Sequence, residues 1–196
     1  MEKTIYTKEQ WKGSVITSPL PPTLVTCASG DKQNVFTVAW TGIVCTRPPR
    51  LYISVRPERY SYGLIVESGE FCVNLVSAPL VRAADMCGVI SGRDKDKFAL
   101  CGLTKTDSKT VSCPTVAESP LALECRVFKR IPLGSHEMFL ADITAFTADE
   151  RYIDKNGRIA LEEAGLAAYS HGDYFALGKK LGDFGFSVRK RKRGAK

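Results

Sequence analysis

Thr37, Ser54, Arg56 and Ser61 bring three hydroxyls and a guanidinium into an otherwise apolar stretch, and Trp40 lies among them. A buried anion loses its hydration and must regain it from hydroxyls, amides and a cation. Each charge-assisted hydrogen bond returns roughly 1.5–3 kcal/mol. These four side chains offer that donor set, and the indole of Trp40 offers a cover for something flat. A phosphate carried on a planar group would use both. Ser54 and Arg56 stand two apart, so they share a face of an extended segment. Ser61 opens a predicted helix whose first amides also favour negative charge. The ordinary reading fits the spacing as well: Ser54 bonded to local backbone, Arg56 in a surface ion pair, Trp40 in the core.

Three more residues could take part. The side-chain amide of Asn34 both donates and accepts, which suits the alternating polar edge of a flavin or pyridine ring, although Asn at a strand entry is by default a turn residue. Lys97, in RDKDKF, belongs to a charge run that would ordinarily be solvated. His136 stands where two strand-like runs meet, ordinarily a surface position. Gly42, just after Trp40, removes side-chain bulk and permits close approach. The sequence contains no GxxxxGK[ST] loop, GxGxxG fingerprint, HExxH helix or Ser-His-Asp arrangement, so hydrolase, kinase-like and dinucleotide-fold readings lack their carriers.

The elements that must position these residues are mostly strands. Thr23 to Ala28, Phe36 to Cys45, Leu51 to Val55 and Phe71 to Val76 are rich in Val, Ile, Thr and aromatics, and the first two are linked by the polar hairpin signal SGDKQN. Ser61 to Ser68 is a predicted short helix with Ser61 as its N-cap and Gly69 just past its end. Pro79 to Val89 is a second, placing Leu80, Ala83, Ala84 and Cys87 on one face. SGRDKDKF is expected to be a charged loop, and Leu103 to Glu118, bearing Pro114, a polar surface excursion. Leu121 to Ile131 and Glu137 to Phe146 form a predicted hairpin with His136 at its mouth. A turn at Asp154 to Gly157 and a segment from Tyr174 to Leu181 complete the pattern. The expectation is a mainly β fold with short helices, an antiparallel closed or partly closed barrel.

With 196 residues, 44% hydrophobic and 25% charged, the chain can bury a core unaided. Its division is expected to be one domain over 1–188 and a basic, solvated tail over 189–196. Six of the net +7 charges lie in that tail, leaving +1 for the rest, so basicity does not imply a specific nucleic-acid partner. Seven cysteines without CxxC spacing indicate reduced, buried thiols, and two histidines argue against a His-rich zinc site, so no metal is expected. The first residues carry no apolar signal core, and no run approaches the ~18 residues of a membrane span. A soluble, cytoplasmic protein without a membrane partner is expected.

Taken in order, several segments resemble the flavin reductase-like family of FMN-binding split-barrel proteins, in its flavoredoxin-type branch. They are PLPPTLVT near the start, NxxTVAWTGI from Asn34, PPxxxISVRPxRYSY from Pro48 and IxESGEFxVNL from Ile65. Lys97-Phe98, GLT with AESPxxLEC, and GSHxxFLADI from Gly134 follow. The resemblance covers about Pro19 to Leu181. It implies a split β-barrel, Greek-key-like, in a homodimer that binds FMN near the subunit interface. Asn34, Trp40, Ser54, Ser61, Lys97, His136 and Tyr169 would line the flavin, with Tyr174 and Phe175 as rival aromatics to Tyr169. Arg56 and Thr37 would sit towards the phosphate. NADH or NADPH would be the donor to an unidentified acceptor, with Lys97 or His136 stabilising negative charge on the reduced ring. The alternative is a non-catalytic electron-transfer module reduced by a protein such as ferredoxin.

Overall fold

The computed structural model describes residues 6–189, and the basic stretch expected as a tail lies outside them apart from Arg189. Strands β1 (Thr23–Ser29) and β2 (Lys32–Val38) form a tight hairpin turned by Gly30 at φ 54°, a left-handed conformation that glycine adopts without strain. β3 (Thr41–Thr46), β4 (Pro49–Val55), the nine-residue helix α1 (Tyr60–Ser68) and β5 (Glu70–Leu75) follow. A single 3-10 turn leads into α2 (Val81–Val89), then come α3 (Lys97–Cys101) and the two-residue strands β6 (Lys105–Thr106) and β7 (Thr115–Val116). The long hairpin of β8 (Leu121–Pro132) and β9 (Glu137–Ala148) precedes a small final hairpin, β10 (Ala167–Ser170) and β11 (Asp173–Ala176).

Seven strands make one antiparallel sheet in the order β2-β1-β5-β8-β9-β4-β3. Its two edge strands, β2 and β3, are consecutive in the chain and joined only by Ala39 and Trp40. A flat sheet of this width would hold its edges about 29 Å apart at ~4.8 Å per neighbour. The three Cα steps from Val38 to Thr41 reach at most about 11 Å. The sheet must therefore curl round until its edges meet, and Trp40 sits at the seam. This break is invisible in the continuous apolar run from Phe36 to Cys45, which is why the sequence suggests a single strand there.

Period-2 alternation in the early strands serves two cores. Val25, Phe36, Val38, Ile53, Val55, Phe71, Val73 and Phe139 fill the barrel with Leu64 and Ile65 of α1. Leu24, Val35 and Val76 point the other way and are covered by Leu80, Ala84 and Cys87 of the α2 region and by Phe98 of α3. Since β1 is covered on both faces, six of its seven residues are buried. Burying a large apolar side chain contributes about 1.5–3 kcal/mol, so these two layers fix the strand ends that carry the polar residues.

One local expectation is corrected and two are refined. The N-cap of α1 is Arg59, not Ser61; it has extended backbone angles and supplies no side-chain hydrogen bond. Ser61 lies inside the helix, where its hydroxyl faces the barrel. The charge run stays a loop as far as Asp96, which accepts from the amides of Phe98 and Ala99 and caps α3, so that only Lys97 and Phe98 leave the loop for the helix. The polar excursion over 103–118 is tied down by the fully buried Glu124, whose carboxylate accepts from the amides of Lys109 and Thr110 at 2.6–3.0 Å.

Candidate functional site

Three clefts share walls along the end of the barrel where β2, β4 and α1 meet α2. The first, about 370 Å³, is lined by Asn34, Thr37, Arg56, Ser61 and Lys97, together with Arg59, Gly88 and Gly92. The second, about 170 Å³, adds Trp40, Ser54 and His136 while keeping Thr37 and Arg56. The third, about 270 Å³, joins Thr37 to Tyr169 and Tyr174. Thr37 borders all three, held by its hydroxyl donating to the carbonyl of Ala84 in α2. All nine residues singled out in the sequence therefore line one connected depression. Of the rival aromatics, Tyr169 and Tyr174 border it, whereas Phe175 is exposed.

The floor of the first cleft is polar and buried. Asn34, within β2 rather than at a turn, is 3% exposed, and Ser61 is 1% exposed. Asn34 Nδ2 donates to Ser61 Oγ at 2.7 Å. Lys97, far from being solvated, is buried, and its Nζ donates to the carbonyl of Cys87 at 2.9 Å. Burial lowers the pKa of this ammonium from the ordinary lysine value, and nearby Arg59 acts in the same direction.

Cationic groups gather on the opposite wall. The first turn of α1 has no side-chain cap, and Arg56, Arg59, Tyr60 and Ser61 line the cleft beside it. An uncapped helix start with two guanidiniums is a ready anion site. Arg56 has Glu58 as an exposed partner at 3.4 Å, and Arg59 reaches across to the carbonyl of Gly88 at 3.3 Å. In the second cleft, which Arg56 and Arg59 also line, the rings of Trp40 and His136 pack with centroids 4.5 Å apart. Burial and neighbouring Arg56 push the imidazole pKa down, so the neutral ring is favoured near pH 7. Behind it, Glu137 receives a two-point contact from Arg130, at 2.7 and 3.1 Å, and a hydrogen bond from Tyr62 of α1. That network fixes the hairpin mouth relative to the helix.

Sequence reasoning missed Arg59, Gly88 and Gly92. Glycine is required at 92, where an added Cβ would lie 2.1 Å from Asn34 Oδ1, and at 88 a Cβ would press on Thr37 at 3.3 Å. The two glycines of CGVISG, one in the last turn of the helical run and one just past it, were the available signal. Among the described residues no group of three or more His, Cys, Asp or Glu could hold a metal ion.

The flavin reductase-like domain model matches residues 16–178, most of the chain and every one of these residues. The chain belongs to the flavin reductase-like family. Among solved structures it is similar to the flavoredoxin of Desulfovibrio vulgaris (Miyazaki F), 30% identical, covering 93% of this chain and 100% of that one with a TM-score of 0.87. It is also similar to the flavoredoxin from Methanosarcina acetivorans, 25% identical, with 93% and 100% covered and a TM-score of 0.84. An uncharacterized protein of Archaeoglobus fulgidus is 32% identical over 124 residues, 63% of this chain and 70% of that protein. The family's split-barrel architecture accounts for the curled sheet and for the seam at Trp40. Flavin is thus the ligand class against which the donor set is to be read.

Proposed function

We propose that this protein binds FMN in the connected clefts around Thr37 and acts as an oxidoreductase that takes electrons from NADH or NADPH and passes them to a second acceptor. The observation that carries this reading is a pair of chemically different groups in adjoining clefts. One is the uncapped start of α1 with Arg56 and Arg59; the other is the Trp40–His136 ring pair, whose cleft the same two arginines also line. A dianionic phosphate suits the first and a flat ring the second. Bound FMN would supply a ring that accepts hydride and releases electrons one or two at a time.

The chain's own residues bind, orient and shield. Arg56, Arg59, Ser61 and the first amides of α1 hold the phosphate. Asn34, fixed by Ser61, presents its amide to the polar ring edge. Gly88 and Gly92 keep that approach open. Lys97 sets a positive charge in a buried place where negative charge on a reduced ring is stabilised, and His136, neutral and stacked on Trp40, donates from its ring while limiting water. Tyr169 closes the side towards the final hairpin, its backbone paired with Leu20 in both directions at 2.8 Å.

The likeness to flavoredoxins supports a second reading of the same site, in which a ferredoxin-like protein is the donor and the chain is an electron carrier. A homodimer suits either reading, because Ile43, Val44, Phe128 and Phe146 leave apolar side chains exposed on β3, β8 and β9. Seven free thiols fit a reducing, cytoplasmic setting, and no described helix is long and apolar enough to cross a membrane. The test is anaerobic mixing of the FMN-loaded protein with NADH, NADPH or reduced ferredoxin while flavin absorbance is followed. Bleaching by a nicotinamide within seconds supports the oxidoreductase; bleaching by ferredoxin alone favours the carrier.

A further inference from the structure

A second cleft of about 540 Å³ lies behind the flavin-side depression, lined by Arg82, Met86, Cys101, Leu103, Glu118 and Arg151 among others. The wall between the two contains a cysteine pair. Cys87, in α2, is 1% exposed and borders the flavin-side cleft, whereas Cys101, at the end of α3, is half-buried and borders the rear cleft. Their sulfurs are 3.6 Å apart. A second pair, Cys72 and Cys113, has sulfurs 3.4 Å apart, but both residues are at most 1% exposed. Proximity is shared by the two pairs, and access to a cleft distinguishes them.

We propose that Cys87 and Cys101 form a thiol–disulfide exchange site that reduces a small disulfide entering the rear cleft, with Cys101 as the attacking thiol. The Cys101 thiolate bonds to one sulfur of the incoming disulfide and expels the other half as a thiolate. Cys87 then bonds to Cys101 Sγ and expels the remaining half. Two protein thiols are oxidised to one disulfide, the external disulfide is reduced to two thiols, and the two protein protons pass to the leaving thiolates.

The order of attack follows from environment. Burial, and then the neighbouring Cys101, push the Cys87 thiol up to about 12, so the enclosed sulfur is not the one that attacks first, and Cys101, which borders the rear cleft, is. Closing the bond requires the sulfurs to approach from 3.6 Å to about 2.05 Å, a movement that side-chain rotation on two short helices can supply. Arg82 lines this cleft and offers a cation to a substrate carboxylate, whereas Arg151 there is paired with Asp149. Closure would also staple α2 to α3 beside the carbonyl that holds Lys97, linking thiol state to the flavin-side floor.

The test uses reduced, full-length protein and glutathione disulfide, with free thiols alkylated before and after unfolding and the peptides mapped by mass. The expected result is a Cys87–Cys101 cross-link, reversed by dithiothreitol, formed about tenfold faster than any adduct at the half-buried, unpaired Cys45. Cys87→Ser should retain glutathione on Cys101, and Cys101→Ser, altered at a half-exposed position, should form neither cross-link nor adduct at Cys87. Absence of the cross-link in the unaltered protein, or reaction at Cys101 no faster than at Cys45, overturns the proposal. The readout involves no flavin, so its failure is separable from failure of FMN binding.

Discussion

Asn34 Nδ2 donates to Ser61 Oγ at 2.7 Å, joining β2 to the first turn of α1 where both residues are almost fully buried. One contact thus ties β2 to the start of α1 at the floor of the first cleft. Replacing Ser61 by Ala leaves a buried donor short of its acceptor, which costs about 1–3 kcal/mol. Urea denaturation of the ligand-free protein should show a loss of this size, and FMN affinity should fall with it.

Gly92 and Gly63 make a matched pair. Ala at 92 places a Cβ 2.1 Å from Asn34 Oδ1 and must displace that side chain, so Gly92→Ala should weaken FMN binding by at least about tenfold, or about 1.4 kcal/mol. Gly63 is exposed within α1 and a Cβ there meets nothing within 4 Å. Gly63→Ala should raise stability by about 0.5–1 kcal/mol and leave affinity unchanged. Thermal melts and flavin titrations on both variants check this.

Lys97 separates function from stability. Its ammonium is buried with one carbonyl partner, and burial lowers its pKa. Folding therefore disfavours the charged form: the penalty is present at neutral pH and is relieved as pH rises through the lowered native value. Lys97→Met, similar in length and apolar, should change ligand-free stability at pH 7 by less than about 1.5 kcal/mol while reducing FMN affinity about tenfold or more. Equal losses in both measurements would assign Lys97 to structure alone.

Glu137 should govern acid sensitivity at the hairpin mouth. Its hydrogen bonds from Arg130, then from Tyr62, hold its carboxyl below the ordinary glutamate value. Such a group stabilises fully above the unfolded-state value, and the contribution is lost as pH falls through the depressed native one. Unaltered protein and Glu137→Gln should thus differ most in urea midpoint near pH 7 and converge as pH drops below about 4, the ordinary carboxylate range.

Much of this architecture was legible in the residues. Runs rich in Val, Ile and Thr over Thr23 to Ala28 and Leu51 to Val55 marked strands, Gly69 marked the end of α1, and the residue order from Asn34 to Ser61 marked the family resemblance. What was hidden depends on tertiary contacts. Lys97 looked solvated because its neighbours are charged, yet the Asp96 cap turns it inward onto Cys87. Ser61 looked like a helix cap because local sequence cannot show that Asn34 claims its hydroxyl. Arg59 stood in the motif from Pro48 to Tyr62 but was not singled out, since its partner at Gly88 comes from another element.

The central claim is that the hydroxyls, amides and guanidiniums around Asn34, Arg56 and Ser61 enclose a flavin mononucleotide. Titrating flavin-free protein with FMN, and following quenching of flavin and tryptophan fluorescence, tests it directly. Saturable quenching at one FMN per chain, weakened about tenfold by Arg56→Ala with riboflavin binding unchanged by the same substitution, is the expected result. A linear response without saturation would contradict the account.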